Sequence, residues 1–216
     1  MDENVNMQVP LMNMIQTVTL SEPWDVDRRL EELQLGPKSR LLKVAAVAVS
    51  SGADATPFHP ANAAGTLAYQ FGTWALRDEF IGDVWSLDRP NGVEAIKNES
   101  TKVRVVFANV DVSCNDKLKP KPRSRKGAGA ERVCDGNLFG DLPEFAPRQT
   151  EGWATYYLMV DVNGAVELTR PIIRKNTFTS YVERIYLSDG SNLDREPVVL
   201  DDGDRADDFD PLVVRK

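Results

Sequence analysis

A chain of 216 residues, 42 % hydrophobic and 27 % charged, is long enough to bury a core of its own and too apolar to be disordered or fibrous. Its two cysteines exclude a disulfide-built secreted scaffold, and no window offers the roughly 20 apolar residues of a membrane helix. A net charge of −7 excludes a surface that is basic throughout, so any affinity for phosphate must be local.

The amino terminus, Met1-Asp2-Glu3-Asn4, is acidic and lacks the basic start and apolar run of a signal peptide, which predicts a soluble, cytoplasmic protein. Residues 1–20 read as an N-terminal arm, rich in methionine (Met1, Met7, Met12, Met14). Its closing Val18-Thr19-Leu20 is suited to adding a strand or packing on a neighbour. Residues 21–216 are expected to form a single α+β domain.

Ser21-Glu22-Pro23-Trp24 reads as a helix start, with Ser21 as the cap and Pro23 in the first turn; Gly36-Pro37 closes that helix near Leu35. From Ser39 to Ser51, Leu41, Leu42, Ala45, Ala48 and Val49 describe a helical stripe. Val44, Val47 and Val49 have the branching that strands favour, and helix is the reading adopted. A third helix runs from Ala61 to Phe80 with Ala63, Leu67, Phe71 and Trp74 along one face. A second stripe on it, Ala61, Gly65, Ala68 and Gly72, holds only small residues. Each glycine costs a helix roughly 1 kcal/mol against alanine, so close packing of a neighbouring element is the expected compensation.

The segment 102–114 predicts a central strand covered on both sides, with Val103, Val105 and Phe107 on one face and Val106, Ala108, Val110 and Val112 on the other. Asn109 and Asp111 continue the first face as polar residues, where apolar surface would give way to a site. A hairpin over 154–170 is predicted from alternating runs around Asn163-Gly164. A two-residue turn there sets Val162 opposite Ala165, Val160 opposite Glu167 and Tyr157 opposite Arg170, with Pro171 ending the return strand or marking its edge. Ser180-Tyr181-Val182-Glu183 has the form of a capping box and predicts a short helix through Tyr186, with a strand as the alternative. Pro197–Leu200 and Pro211–Val214 read as two short strands. Helices come first and strands follow, without the strict alternation of a doubly wound sheet. The fold class is therefore α+β, with a mixed or antiparallel sheet built from the 102–114 strand and the hairpin.

Few residues carry recognisable chemistry. The single histidine, His59, precedes the third helix, where its ring is expected to cap backbone donors or meet solvent. Cys114 and Cys134 lack zinc-site spacing and read as ordinary thiols rather than a disulfide across the loop they bracket. Asp201–Asp210 packs six carboxylates into ten residues without the ligand pattern of a calcium loop, and reads as a solvated acidic segment. Asp111, Asp161 and Glu167 lie on strands, where a two-metal enzyme would need carboxylates to converge. Gly127-Ala128-Gly129-Ala130 follows a proline-rich stretch rather than a strand, so it reads as a flexible segment, not a nucleotide loop. No metal site and no cofactor is predicted.

The strongest lead is the basic loop at 115–133. It carries seven cations and two anions, a net of +5, which leaves −12 for the remainder. Prolines at 120 and 122 favour an extended backbone that spreads Lys117, Lys119, Lys121, Arg123, Arg125 and Lys126 along a phosphate chain. No aromatic interleaves them, so base stacking is not indicated. The expected function is a non-enzymatic binding protein whose loop contacts nucleic-acid phosphates or an acidic protein partner through these six residues. Two alternatives stand beside it: a metal-dependent enzyme acting on nucleic acid or nucleotides, and an acidic decoy of a DNA-binding protein built on the aspartate-rich tail.

Overall fold

The computed structural model describes residues 17–135 and 152–191. The two predicted tail strands, the acidic segment 201–210 and most of the arm lie outside the described residues. Within them, four helices pack on one mixed seven-stranded sheet, the α+β class read from the sequence, with helices mainly in the N-terminal half.

The first three helices are α1 (Pro23–Glu32), α2 (Lys38–Ala53) and α3 (Ala63–Phe80). Pro23 sits in the first turn of α1 as expected, but the cap position belongs to Glu22 rather than Ser21. In α2 the helical reading prevails over the strand because Leu41, Val44, Ala45 and Ala48, spaced as one helical face, are all buried.

In α3 the stripe of larger residues is not the buried face. Gly72, Ala75, Leu76 and Phe80 are buried, whereas Phe71 and Trp74 are 44 % and 50 % exposed. The cause is the closeness of the helix to its neighbours. A Cβ on Gly72 would lie 2.4 Å from Cζ of Phe107, and one on Gly52 would lie 3.3 Å from the Ala68 methyl. Ala68 and Gly72 of the small stripe pack closely on neighbours, whereas Ala61 is exposed and Gly65 has open space beside it.

The strands are β1 (Val18–Leu20), β2 (Ser86–Asp88), β3 (Ala95–Asn98), β4 (Val103–Asn109), β5 (Ala154–Val160), β6 (Val166–Arg174) and β7 (Thr177–Ser188), ordered β1-β7-β6-β5-β4-β3-β2. β4 pairs parallel with β5 and β1 parallel with β7; the other pairings are antiparallel. On one face α1, α2 and α3 cover Val105, Phe107, Tyr156, Leu158, Leu168 and Ile185. On the other, α4 (Ala128–Asp135) covers a second cluster that includes Val106, Ala108, Tyr157, Met159 and Tyr181. The two-sided burial expected of β4 is therefore present, though the strand stops at Asn109 instead of running to Cys114.

Two further expectations fail for identifiable reasons, and a third is met in one of its two forms. The hairpin pairs Val160 with Val166, Met159 with Glu167 and Tyr157 with Thr169, one residue away from the predicted register. Its loop is one residue longer: Gly164 takes φ 86° after a turn closed by Gly164 N–H donating to the Asp161 carbonyl at 3.2 Å. The Asp161 carboxylate holds this wider turn by accepting the N–H groups of Asn163 and Ala165 at 2.8 and 3.0 Å. The shift turns Glu167 away from the core beneath α1, α2 and α3 toward Arg184, and Arg170 faces Glu183 on β7 rather than Tyr157.

Pro171 does not end β6 but falls where the strand has an edge, the other role expected of it. The strand continues to Arg174 with a register shift at Arg170/Pro171, beyond the last residue paired to β5, so the missing N–H falls where no β5 partner exists. Ser180–Tyr186 is strand, not helix, within the 12 residues of β7. It is buried on both faces, with Ile185 in the cluster beneath α1–α3 and Tyr181 in the one beneath α4, and the cross-strand partners on β6 decide between periods that the sequence leaves nearly balanced.

Candidate nucleic-acid interface

The basic loop leaves the end of β4 and is tied down along its length. Ser113 N–H donates to Asp161 Oδ2 at 3.1 Å and Cys114 N–H to Glu167 Oε2 at 2.7 Å. Arg184 Nη1 donates to the Asn115 carbonyl at 3.0 Å, and the Asn115 side chain accepts the N–H groups of Lys117 and Leu118. Further on, the loop runs antiparallel to the end of β4: Asp111 N–H donates to the Lys121 carbonyl and Arg123 N–H to the Asn109 carbonyl, at 3.0 and 3.1 Å. The Tyr181 hydroxyl donates to the carbonyl of buried Pro120, and Lys126 N–H closes the loop on the Asn176 carbonyl at 2.9 Å.

This anchoring sorts the side chains. Lys117, Lys119, Lys121, Arg123 and Arg125 are exposed, while the intervening Pro120 is buried and Pro122 half-buried. In extended chain, alternate residues share a face about 6.6 Å apart, so Lys119, Lys121 and Arg123 form an outward row on a proline-lined backing. The odd-numbered spacing of all five is visible in the sequence and was the signal available for this row.

Among the described residues none of the five makes an ion pair. A second basic cluster behaves differently: Lys97, Lys102 and Arg104 surround the Trp153 ring. There Lys97 and Lys102 bind Glu99 at 2.7 and 2.9 Å, and Arg104 binds Asp88 at 2.5 Å. Its charge is largely met by neighbouring carboxylates; among the described residues the five loop cations have no such partners.

The sixth predicted contact, Lys126, is turned inward. Its ammonium lies 5.6 Å from the ring centroids of both Tyr157 and Phe178, and burial pushes its pKa down to about 8. With the folded pKa below that of the unfolded chain, the unfolded state binds more protons between about pH 8 and 10.5, so stability rises with pH across that window. Lys126→Met is expected to flatten that rise, measured by urea unfolding at pH 7.5, 8.5 and 9.5. A rise unchanged in the variant would assign it to another group.

Where the loop meets the β6–β7 turn, Pro122, Arg123, Arg125, Lys175, Asn176 and Thr177 line an open cleft of about 390 Å³. Lys175 was not anticipated. It and Asn176 form a two-residue turn with both φ positive, 52° and 63°, a geometry in which asparagine is favoured and lysine is not. The run Arg174-Lys175-Asn176 between apolar stretches is the trace this turn leaves in the sequence.

The remaining sequence candidates are occupied structurally. Nδ1 of exposed His59 accepts the Thr56 N–H at 3.0 Å, the capping role expected of it. Asn109 does not open a site; its Nδ2 donates to the Gly65 carbonyl at 2.8 Å and secures α3. Asp111, Asp161 and Glu167 accept backbone N–H groups of the loop and its surroundings, and among the described residues no three metal-binding groups converge. Cys114 and Cys134 are not joined, and burial, with Glu167 beside it, pushes the Cys114 thiol up to about 12. Residues 128–133 belong to α4 rather than to loop, and Gly129 serves close packing: a Cβ there would lie 2.3 Å from the Asn91 carbonyl oxygen.

Among the described residues no helix is long and apolar enough to cross a membrane. Comparison with protein-family models, with curated proteins and with solved structures found no match to the chain.

Proposed function

We propose that the chain is a non-enzymatic binding protein whose basic loop contacts nucleic-acid phosphates. The observation that carries this reading is the row of exposed cations, unpaired among the described residues, on a backbone fastened to the sheet at its start, middle and end. Such fastening lowers the ordering cost of binding a polyanion. An exposed pair contributes about 1 kcal/mol or less, so several contacts together are needed for useful affinity. The absence of aromatics in the loop favours phosphate contact over base reading.

The test is fluorescence anisotropy with labelled single- and double-stranded DNA and RNA over a salt series. Five contacts give a slope of log K against log salt of about −3.5 for a single strand. A variant with Lys117, Lys119, Lys121, Arg123 and Arg125 changed to glutamine should lose that slope together with binding. Failure of the unmodified protein to bind any of the four at low salt would refute the reading and direct the search to an acidic protein partner.

A further inference from the structure

We infer that the cleft between the loop and the β6–β7 turn is a site for two neighbouring phosphoryl groups, completed by Lys175; the inference rests on the phosphate-contact reading of the loop. Three of its six lining residues are cations, Arg123, Arg125 and Lys175, and none is a carboxylate. Asn176 and Thr177 add an amide and a hydroxyl. That donor set suits anionic oxygens: arginine forks offer paired N–H donors, and lysine a mobile point charge.

The walls contain no aromatic ring and one proline, so they offer no stacking surface for a nucleobase. Charge argues for more than one phosphoryl group, since three cations match a diphosphate or two or more consecutive phosphodiesters, and the open mouth of the cleft sets no upper limit on ligand length.

The two sides of the cleft come from distant parts of the chain and are fixed to each other. The Lys126 N–H to Asn176 carbonyl bond, at 2.9 Å, joins the residue after Arg125 to the residue after Lys175. Glu131 on α4 engages the neighbouring Arg174 at 3.5 Å, which occupies the adjacent acid without involving Lys175. The shared chemistry is a pair of phosphoryl groups, and its source is either a nucleic-acid strand or a free diphosphate.

Isothermal titration of the full chain with inorganic pyrophosphate, paired with displacement of a labelled oligothymidylate, separates these sources. Lys175→Gln and Arg125→Gln report on the cleft, and Lys43→Gln, on α2 across the sheet from the loop and paired with Glu79, is the control. Pyrophosphate is expected to bind one per chain, about fivefold more weakly to K175Q and unchanged to K43Q. It should also displace the oligonucleotide, whose salt slope should fall by about 0.7 in K175Q.

Pyrophosphate binding that is absent, or equal in all three variants, overturns the cleft assignment even where the oligonucleotide still binds through the loop. Pyrophosphate binding that depends on Lys175 while no oligonucleotide binds supports the cleft as a free-diphosphate site and removes the nucleic-acid reading instead.

Discussion

Arg184→Leu is expected to lower the free energy of unfolding by about 3–5 kcal/mol, read as a fall in the urea midpoint at constant slope. Glu167 is fully buried, and its two oxygens face Arg184 Nε and Nη2 at 3.0 and 2.7 Å. The Thr169 hydroxyl and the Cys114 N–H also donate to it. Removing the guanidinium leaves a carboxylate in the core with two neutral donors, too few to replace a lost bidentate partner.

Glu167→Leu combined with Arg184→Leu should recover part of that cost, because an ion pair exchanged for apolar side chains no longer carries its desolvation penalty. Recovery stays incomplete for a specific reason. The pair also holds the Cys114 N–H and the Asn115 carbonyl, and each lost backbone partner costs about 1–3 kcal/mol if it stays buried.

The same variants connect stability to binding. They change no exposed cation, yet they release the start of the loop, so oligonucleotide affinity should fall and proteolysis between residues 113 and 121 should quicken in the native state. Affinity unchanged in a folded Arg184→Leu protein would mean that the loop binds without its anchor.

How far the sequence foretold this arrangement depends on the range of the interaction involved. The helices α1 and α2 and the core of β4 follow from local pattern, as with Val103, Val105 and Phe107, though the buried face of α2 takes Val44 where the sequence pattern offered Leu42 and Val49, which are only partly buried. The hairpin shows the limit. Asn163-Gly164 located the turn, but the register was settled by Asp161 accepting two N–H groups and by Arg184, 17 residues beyond Glu167, receiving that carboxylate.

The region of β7 failed for the same reason: Ser180–Tyr186 fits either period locally, and only pairing with β6 selects the strand. For the candidate site, the loop and five exposed cations were legible as composition. The inward turn of Lys126 was not, because it needs the rings of Tyr157 and Phe178 from β5 and β7. Lys175 was missed because the cleft is made by contact between segments 50 residues apart.

Two glycines on the same stripe of α3 should respond to alanine with opposite signs. Helix propensity alone favours alanine at either site by up to about 1 kcal/mol. At Gly65 nothing lies within 4 Å of the added methyl, so Gly65→Ala should be stabilising by about 0.5 kcal/mol or more. At Gly72 the methyl would sit 2.4 to 2.6 Å from three atoms of the Phe107 ring. Phe107 is 1 % exposed and belongs to the core beneath the helices, so neither it nor α3 can yield without displacing packed neighbours. Overpacking of that kind costs about 1–3 kcal/mol, or more where the backbone must move, which outweighs the propensity gain and leaves Gly72→Ala destabilising by about 2 kcal/mol. The ring is the stated cause, so Phe107→Leu should narrow the penalty of Gly72→Ala in a double-mutant cycle, with a coupling of 1 kcal/mol or more. Equal effects of the two alanines in thermal and urea unfolding would show that the small stripe is not held by close approach of β4. Opposite signs with strong coupling to Phe107 would establish that contact as the reason why α3 presents glycine to the sheet and leaves Phe71 and Trp74 half exposed.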